Sequence, residues 1–155
     1  MDAEWESLRD DNVISNTDKD KPLARLLVVD DDSDNAEVLK LGLLNYGFLV
    51  VAFTNPEEAL QHFKSNPESY SLVLSDSWMP SISGMQLAEK AKKANPNVKV
   101  LLLSGSEMIE NEFSKVSPST SVVDGFVQKP VGIRELTNKI LSLIGEAKGR
   151  TSFKG

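Results

Sequence analysis

Four short polar stretches of the chain, each directly after an apolar run, hold the side chains most able to do chemistry. They are Asp30-Asp31-Asp32, Ser75-Asp76-Ser77, Ser104-Gly105 and Gln128-Lys129-Pro130. Together they offer carboxylates, hydroxyls and one ammonium. Several carboxylates gathered in one partly buried place are costly unless a cation sits among them. All the ligands on offer are oxygens, which selects a hard divalent cation, with Mg²⁺ the leading choice and Mn²⁺ the alternative. Each stretch alone has a plainer account. Three aspartates suit a solvated loop or a helix N-terminus, Asp76 suits the turn before Pro80, Ser104 can cap a helix, and Lys129 can be an ordinary surface lysine. Taken jointly, the plain accounts need four accidents. Asp30, Asp32 and Asp34 also imitate the start of a calcium-binding EF-hand loop. However, Asn35 stands where that loop needs glycine and Leu41 where it needs glutamate, so the match fails.

The surrounding pattern explains how these stretches could converge. Leu26 to Val29, Phe48 to Phe53, Leu72 to Leu74, Val98 to Leu103 and Val122 to Val127 are short apolar runs, several rich in β-branched residues. Runs that are apolar on both faces suit strands buried between two helical layers. Between them lie segments of helical periodicity. Asp34 to Tyr46 ends at Gly47, and Asn55-Pro56-Glu57-Glu58 is a helix start. A third helix is predicted from Gly84 to the Pro96 stop, a fourth, weaker one over 107–116, and a last one over 133–144 with Gly145 after it. The last helix carries Ile133, Leu136, Ile140, Leu141 and Ile144 on one stripe. Five strands alternating with five helices predict a doubly wound α/β fold with a five-stranded parallel sheet. In such sheets ligands bind beyond the carboxyl ends of the strands, and all four polar stretches leave strands at that end.

The ordered set resembles the receiver domain of two-component response regulators over roughly residues 24 to 147. It comprises Val28-Val29-Asp30-Asp31, Leu74-Ser75-Asp76-Ser77-Trp78-Met79-Pro80 with Gly84-Met85, Leu103-Ser104-Gly105, and Gln128-Lys129-Pro130. The resemblance implies a (βα)5, flavodoxin-like fold and gives roles to particular residues. Asp76 matches the phospho-accepting aspartate. Asp30 and Asp31 match the acidic pair that holds Mg²⁺, Asp31 directly and Asp30 largely through water, and the backbone carbonyl of Trp78 would complete the protein's share. Ser104 matches the switch hydroxyl, Lys129 the lysine beside the phosphoryl group, and Phe126 the aromatic that changes rotamer with the switch. Pro130 stands where this family often has a cis proline. The partners implied are a histidine kinase or histidine phosphotransfer protein upstream, and a protein target on the face made by the 107–116 helix, the last strand and the last helix.

These residue types suit the implied reaction. A carboxylate can attack a phosphoryl group to give an acyl phosphate, and the loose transition state places negative charge on three equatorial oxygens, so positioning and charge neutralisation dominate. Ser104 could donate to the phosphoryl oxygens after the loop behind it moves inward. Two departures from the family pattern stand out. Trp78 is bulky where many receivers carry a small or polar residue, and with Ser106 it borders the path of a hydrolytic water, so it is expected to shield the acyl phosphate. The interval from Ser104 to Lys129 is also longer than usual, with Ser117-Pro118-Ser119-Thr120-Ser121 inside it.

Composition limits the alternatives. Of 155 residues, 40% are hydrophobic and 26% charged, enough for a core. The net charge of −6 argues against nucleic-acid binding, which rests on neutralising phosphates. Without cysteine there is no disulfide, thiolate nucleophile or Cys-ligated metal. His62 is the one histidine, which precludes multi-histidine metal sites, and it is expected to be an exposed helix residue. No apolar run approaches the roughly 18 residues of a membrane span, and the acidic start lacks a signal-peptide core, so a cytoplasmic protein without membrane insertion is expected. Residues 1–24 are acidic and sparse in apolar side chains and read as a flexible extension, although Trp5 and Leu8 stand at helical spacing and could dock on something. Residues 25–147 form the expected domain, and 148–155 a frayed tail.

The expected function is therefore a stand-alone, non-enzymatic phospho-acceptor that signals by protein contact or onward phosphotransfer. A receiver fold working without phosphorylation is the alternative. A flavodoxin-like electron carrier would need a phosphate-binding loop after the first strand, where three acids stand and repel FMN phosphate. A haloacid-dehalogenase-type hydrolase would need an aspartate two residues past Asp76, where the chain has Trp78.

Overall fold

The structure, a computed structural model, describes residues 22–105 and 122–147. Five strands, β1 (Arg25–Val29), β2 (Leu49–Phe53), β3 (Leu72–Asp76), β4 (Lys99–Ser104) and β5 (Gly125–Gln128), form one parallel sheet in the order β2-β1-β3-β4-β5. Among the described residues four helices connect and cover it: α1 (Ser33–Asn45), α2 (Pro56–Ser65), α3 (Gly84–Ala94) and α4 (Ile133–Ala147). The helix expected over 107–116 lies outside the described residues, as do Ser106 and the 117–121 stretch.

Strand side chains alternate between the sheet's faces, and the apolar runs fill both. Leu27, Val29, Val73, Val100 and Leu102 pack with Ala59, Leu60 and Phe63 of α2 and Leu87, Ala88 and Ala91 of α3. On the other face, Leu26, Val28, Leu72, Leu74, Leu101 and Leu103 pack with Leu43 of α1 and Leu136, Ile140 and Ile144 of α4. This double coverage is why the strands read as continuous apolar runs. The helix starts follow capping chemistry. Asp32 caps α1, accepting from the amides of Asp34 and Asn35, and Asn55 caps α2 ahead of Pro56. Ser83 and Gln86 form a reciprocal capping box on α3.

Four expectations are corrected. The last strand begins at Gly125, not Val122, because Asp124 anchors the preceding segment: its carboxylate accepts from the Val100 amide at 2.8 Å and pairs with Lys92 at 2.9 Å. The last helix runs through Gly145 to Ala147; a glycine stop needs positive φ, which Gly47 adopts at 102° and Gly145 does not. The one stripe expected on the last helix is not wholly buried, since Leu141 of α4 is exposed; on α1, Ala36 and Leu43 are buried while Val38 and Leu41 face outward. His62 is half-buried, with Nε2 2.6 Å from the Tyr70 hydroxyl and its ring beside Phe53. Tyr70 comes from the α2–β3 loop, a contact that helical periodicity cannot show.

Candidate functional site

The chain turns from β1 outward to β2, then returns to place β3 on the other side of β1. The strand order thus reverses between β1 and β3, where α/β sheets form their binding crevice. In register, Val29 stands beside Ser75, so Asp30 and Asp76 leave neighbouring strands at the same rim.

The three consecutive aspartates divide their work. Asp30 is buried: its amide donates to the Phe53 carbonyl at 3.1 Å and its Oδ1 accepts from the Asp32 amide at 2.9 Å. Asp32 is committed to capping α1. Asp31 is exposed and points its charge back to the pocket, where carboxylate oxygens of Asp30, Asp31 and Asp76 all lie within 4.8 Å of one another. Burial holds the Asp30 carboxyl above its ordinary range. The Asp32 amide opposes that shift, Asp76 and Asp31 add to it as like charges, and the Lys129 ammonium opposes it.

From β5 the chain sends Lys129 over this pocket, with Nζ 3.1 Å from Asp76 Oδ1. The Lys129 amide donates to the Ser104 carbonyl at 2.8 Å, which ties the ends of β4 and β5 together, and the Lys129–Pro130 peptide is cis. Ser104 is buried, and its hydroxyl meets that of Ser77 at 2.9 Å rather than the Asp76 carboxylate. Among the described residues nothing lies within 4 Å of where a Cβ on Gly105, next to it, would stand. Trp78 is 61% exposed. Phe126 is half-buried and packs on the α2–α3 side of the sheet beside Leu102, so it stands apart from the acid pocket.

Two residues of the quoted stretches take parts that the sequence did not assign them. Ser77 is the hydroxyl partner of Ser104, and only the adjacency of β3 and β4 brings them together. Gly84 donates its amide to the Ser77 carbonyl at 3.0 Å, and a Cβ there would lie 2.6 Å from the Asp76 carbonyl oxygen. The glycine lets α3 begin directly against the backbone of the Asp76 loop. A small residue beside Ser83 was the available signal.

The donor set suits a hard divalent ion. Among the described residues three carboxylates converge, Asp30 buried, Asp76 half-buried and Asp31 exposed, and the one lysine ammonium beside them is too little positive charge for all three. Beside the pocket lies a groove of about 450 Å³, whose walls include Val38 and Leu39 of α1 and Pro130 and Val131 after β5.

Comparison with known proteins agrees with this geometry. Residues 26–141 match the response regulator receiver domain family. The response regulator receiver protein CpdR of Brucella abortus is 28% identical over 122 residues, which cover 79% of this chain and 98% of that protein. The cell cycle transcriptional regulator CtrA of Caulobacter vibrioides is 30% identical over 125 residues, 81% of this chain and 52% of CtrA, so the chain spans about half of that longer relative. Among solved structures, a response regulator receiver domain protein from Clostridium thermocellum superposes with a TM-score of 0.74 at 29% identity, covering 81% of this chain and 98% of that one. A CheY-like receiver domain protein from Methanospirillum hungatei gives 0.72 at 30% identity, covering 83% and 98%. Among the described residues no helix is long and apolar enough to cross a membrane. With the sheet order, the acid trio and the lysine in place, the chain belongs to the response regulator receiver domain family.

Proposed function

We propose that this receiver accepts a phosphoryl group on Asp76 from a phosphohistidine of a histidine kinase or phosphotransfer protein. The observation that carries the reading is Lys129 Nζ at 3.1 Å from Asp76 Oδ1, on the rim where Asp30 and Asp31 converge. An Asp76 carboxylate oxygen attacks phosphorus, the new P–O bond forms as the P–N bond to the donor imidazole breaks, and the imidazole leaves with that electron pair. Lys129 orients the attacking carboxylate beforehand and neutralises the transferred oxygens afterwards. Asp30, Asp31, Asp76 and the Trp78 backbone carbonyl would hold Mg²⁺, which supplies further positive charge toward the phosphoryl oxygens. Ser104 then exchanges its Ser77 partner for a phosphoryl oxygen, and Phe126 follows on the neighbouring strand, which converts the modification into a change of surface. The exposed Trp78 indole shields the acyl phosphate from water. The chain acts as its own acceptor rather than as an enzyme on other substrates, and its output is contact with a protein target or onward phosphotransfer.

Intact-protein mass after incubation with acetyl phosphate or phosphoramidate and Mg²⁺ tests this. One labile phosphoryl adduct is expected, absent from Asp76→Asn and absent when EDTA is present. An unmodified wild-type chain with every donor would refute the reading and leave a receiver fold that works by contact alone.

A further inference from the structure

The opposite rim of the sheet has the reverse chemistry. Helices in this fold run antiparallel to the strands, so the C-termini of α2 and α3 lie where the strands begin. Between them is a concavity of about 530 Å³ lined by Lys64, Lys90 and Lys93 with Pro67 and Ala94. All three lysines are exposed, and among the described residues none has a carboxylate within 4.0 Å, whereas Lys92 and Lys99 nearby both face Asp124. The Asn95 side-chain amide donates to the Pro67 carbonyl at 2.8 Å, which fixes the floor between the two helix ends. Lysines at helix C-termini offset the macrodipole, and that is the plain account of them. Two helix ends carry together roughly −1 elementary charge, so three ammonium groups leave the concavity distinctly positive. That is unusual on a chain of net charge −6.

The chain itself carries a segment of complementary chemistry. Residues 1–21, outside the described part, hold seven acids against three bases, and five of those acids (Asp2, Glu4, Glu6, Asp10 and Asp11) fall in the first eleven residues around Trp5 and Leu8. The segment joins the fold at the same rim, because β1 begins at Arg25, and the Ser71 amide at the α2–β3 loop donates to the Arg25 carbonyl at 2.9 Å. The residues between Asp11 and Arg25 can span roughly 40 Å when extended, ample for a route along one edge of a domain this size. We infer that residues 2–11 dock on the Lys64–Lys90–Lys93 concavity of the same molecule, their carboxylates facing the ammonium groups and Trp5 and Leu8 meeting the Pro67 and Ala94 floor. Tethering gives an effective concentration on the order of mM, so weak exposed charge pairs suffice for the docked form to be well populated. The docked segment lies at the far end of β3 from Asp76, about 13 Å of strand away, and leaves the acid pocket open.

The absence of cysteine makes a clean test possible. A nitroxide on Ser7→Cys in the otherwise unaltered full chain should broaden the amide resonances of Lys64, Lys90 and Lys93 at least about twofold, as expected for a segment docked about half of the time at mM effective concentration. Broadening should be relieved by Lys64→Glu, Lys90→Glu and Lys93→Glu together, and in about 1 M NaCl, where the Debye length falls to about 3 Å. Should the triple variant not fold, the salt arm decides alone on the unsubstituted lysines. Broadening centred elsewhere, broadening indifferent to charge reversal and salt, or broadening that vanishes on dilution because it comes from a second copy would each overturn the inference.

Discussion

At the scale of residues, the pocket is an arrangement of like charges held against their preference. Asp30 is the extreme member, buried at the end of β1 with its carboxyl raised above the ordinary range chiefly by burial. The consequence for stability has a definite sign. A raised folded-state value means that the folded chain holds this proton more tightly than the unfolded chain. The associated stability is complete below the ordinary carboxyl range near 3.8 and is lost as pH rises through the folded value. Toward neutral pH the raised carboxyl therefore weakens the metal-free fold. Asp30→Asn keeps an acceptor for the Asp32 amide and removes the charge, so it is expected to melt higher than wild type at pH 7 without metal, with the advantage shrinking as the pH is lowered toward 4. Mg²⁺ should reverse the ranking. At a hundred times its dissociation constant a ligand stabilises the form it binds by about 2.7 kcal/mol, and Asp30→Asn should gain less of this. Thermal melts at two pH values, with Mg²⁺ and with EDTA, check both statements.

At the scale of elements, the site depends on how closely helices and strands approach. The start of α3 lies against the backbone that carries Asp76, and Gly84 is the residue that permits it. An added methyl would meet the Asp76 carbonyl oxygen at 2.6 Å and the Ser77 Cα at 3.0 Å, both backbone atoms that cannot swing aside. Gly84→Ala should therefore destabilise by about 1–3 kcal/mol, the usual cost of forcing a methyl into a filled site, read as a lower urea midpoint at unchanged slope. The same shift moves Asp76 relative to Lys129, so adduct formation should slow in the folded fraction as well. The β4–β5 junction is a comparable device. The Lys129 amide on the Ser104 carbonyl fixes the two chain ends that bear the hydroxyl and the ammonium.

At the scale of the whole molecule, the sheet separates two chemically different rims. The acid pocket and its groove stand at the carboxyl ends of the strands, and the lysine concavity at their beginnings. A small phosphodonor needs only the pocket, whereas a protein donor must also seat on what surrounds it. Val38 is 61% exposed on α1 and lines the groove next to Asp30 and Lys129. Introducing a charge there by Val38→Glu should slow transfer from a phosphohistidine protein by about tenfold, the size of a lost interface anchor. Labelling by acetyl phosphate should change by less than about twofold, a small difference next to that loss. Parallel time courses with the two donors check this, and equal slowing with both would show that the pocket itself was disturbed.

How much of this was legible in the sequence follows from the range of the forces involved. Apolar runs, caps and the Gly47 turn are local, so the layer order and most element starts could be read directly: Asn55-Pro56 opens α2, and Leu72 opens β3. The four polar stretches were legible as one site because a parallel sheet delivers every strand's carboxyl end to the same rim. Which partner each side chain takes was not, because that depends on neighbours distant in sequence. Only tertiary contact assigns Ser104 to Ser77, sets Lys129 on Asp76, draws His62 to Tyr70, and decides that Val38 and Leu41 of α1 face outward. Sequence by itself determined the fold and the chemical inventory of the rim, since both rest on local pattern. The tertiary structure decided the pairing of charges and hydroxyls and the faces left open, since hydrogen bonds and ion pairs form across strands whose adjacency only folding creates.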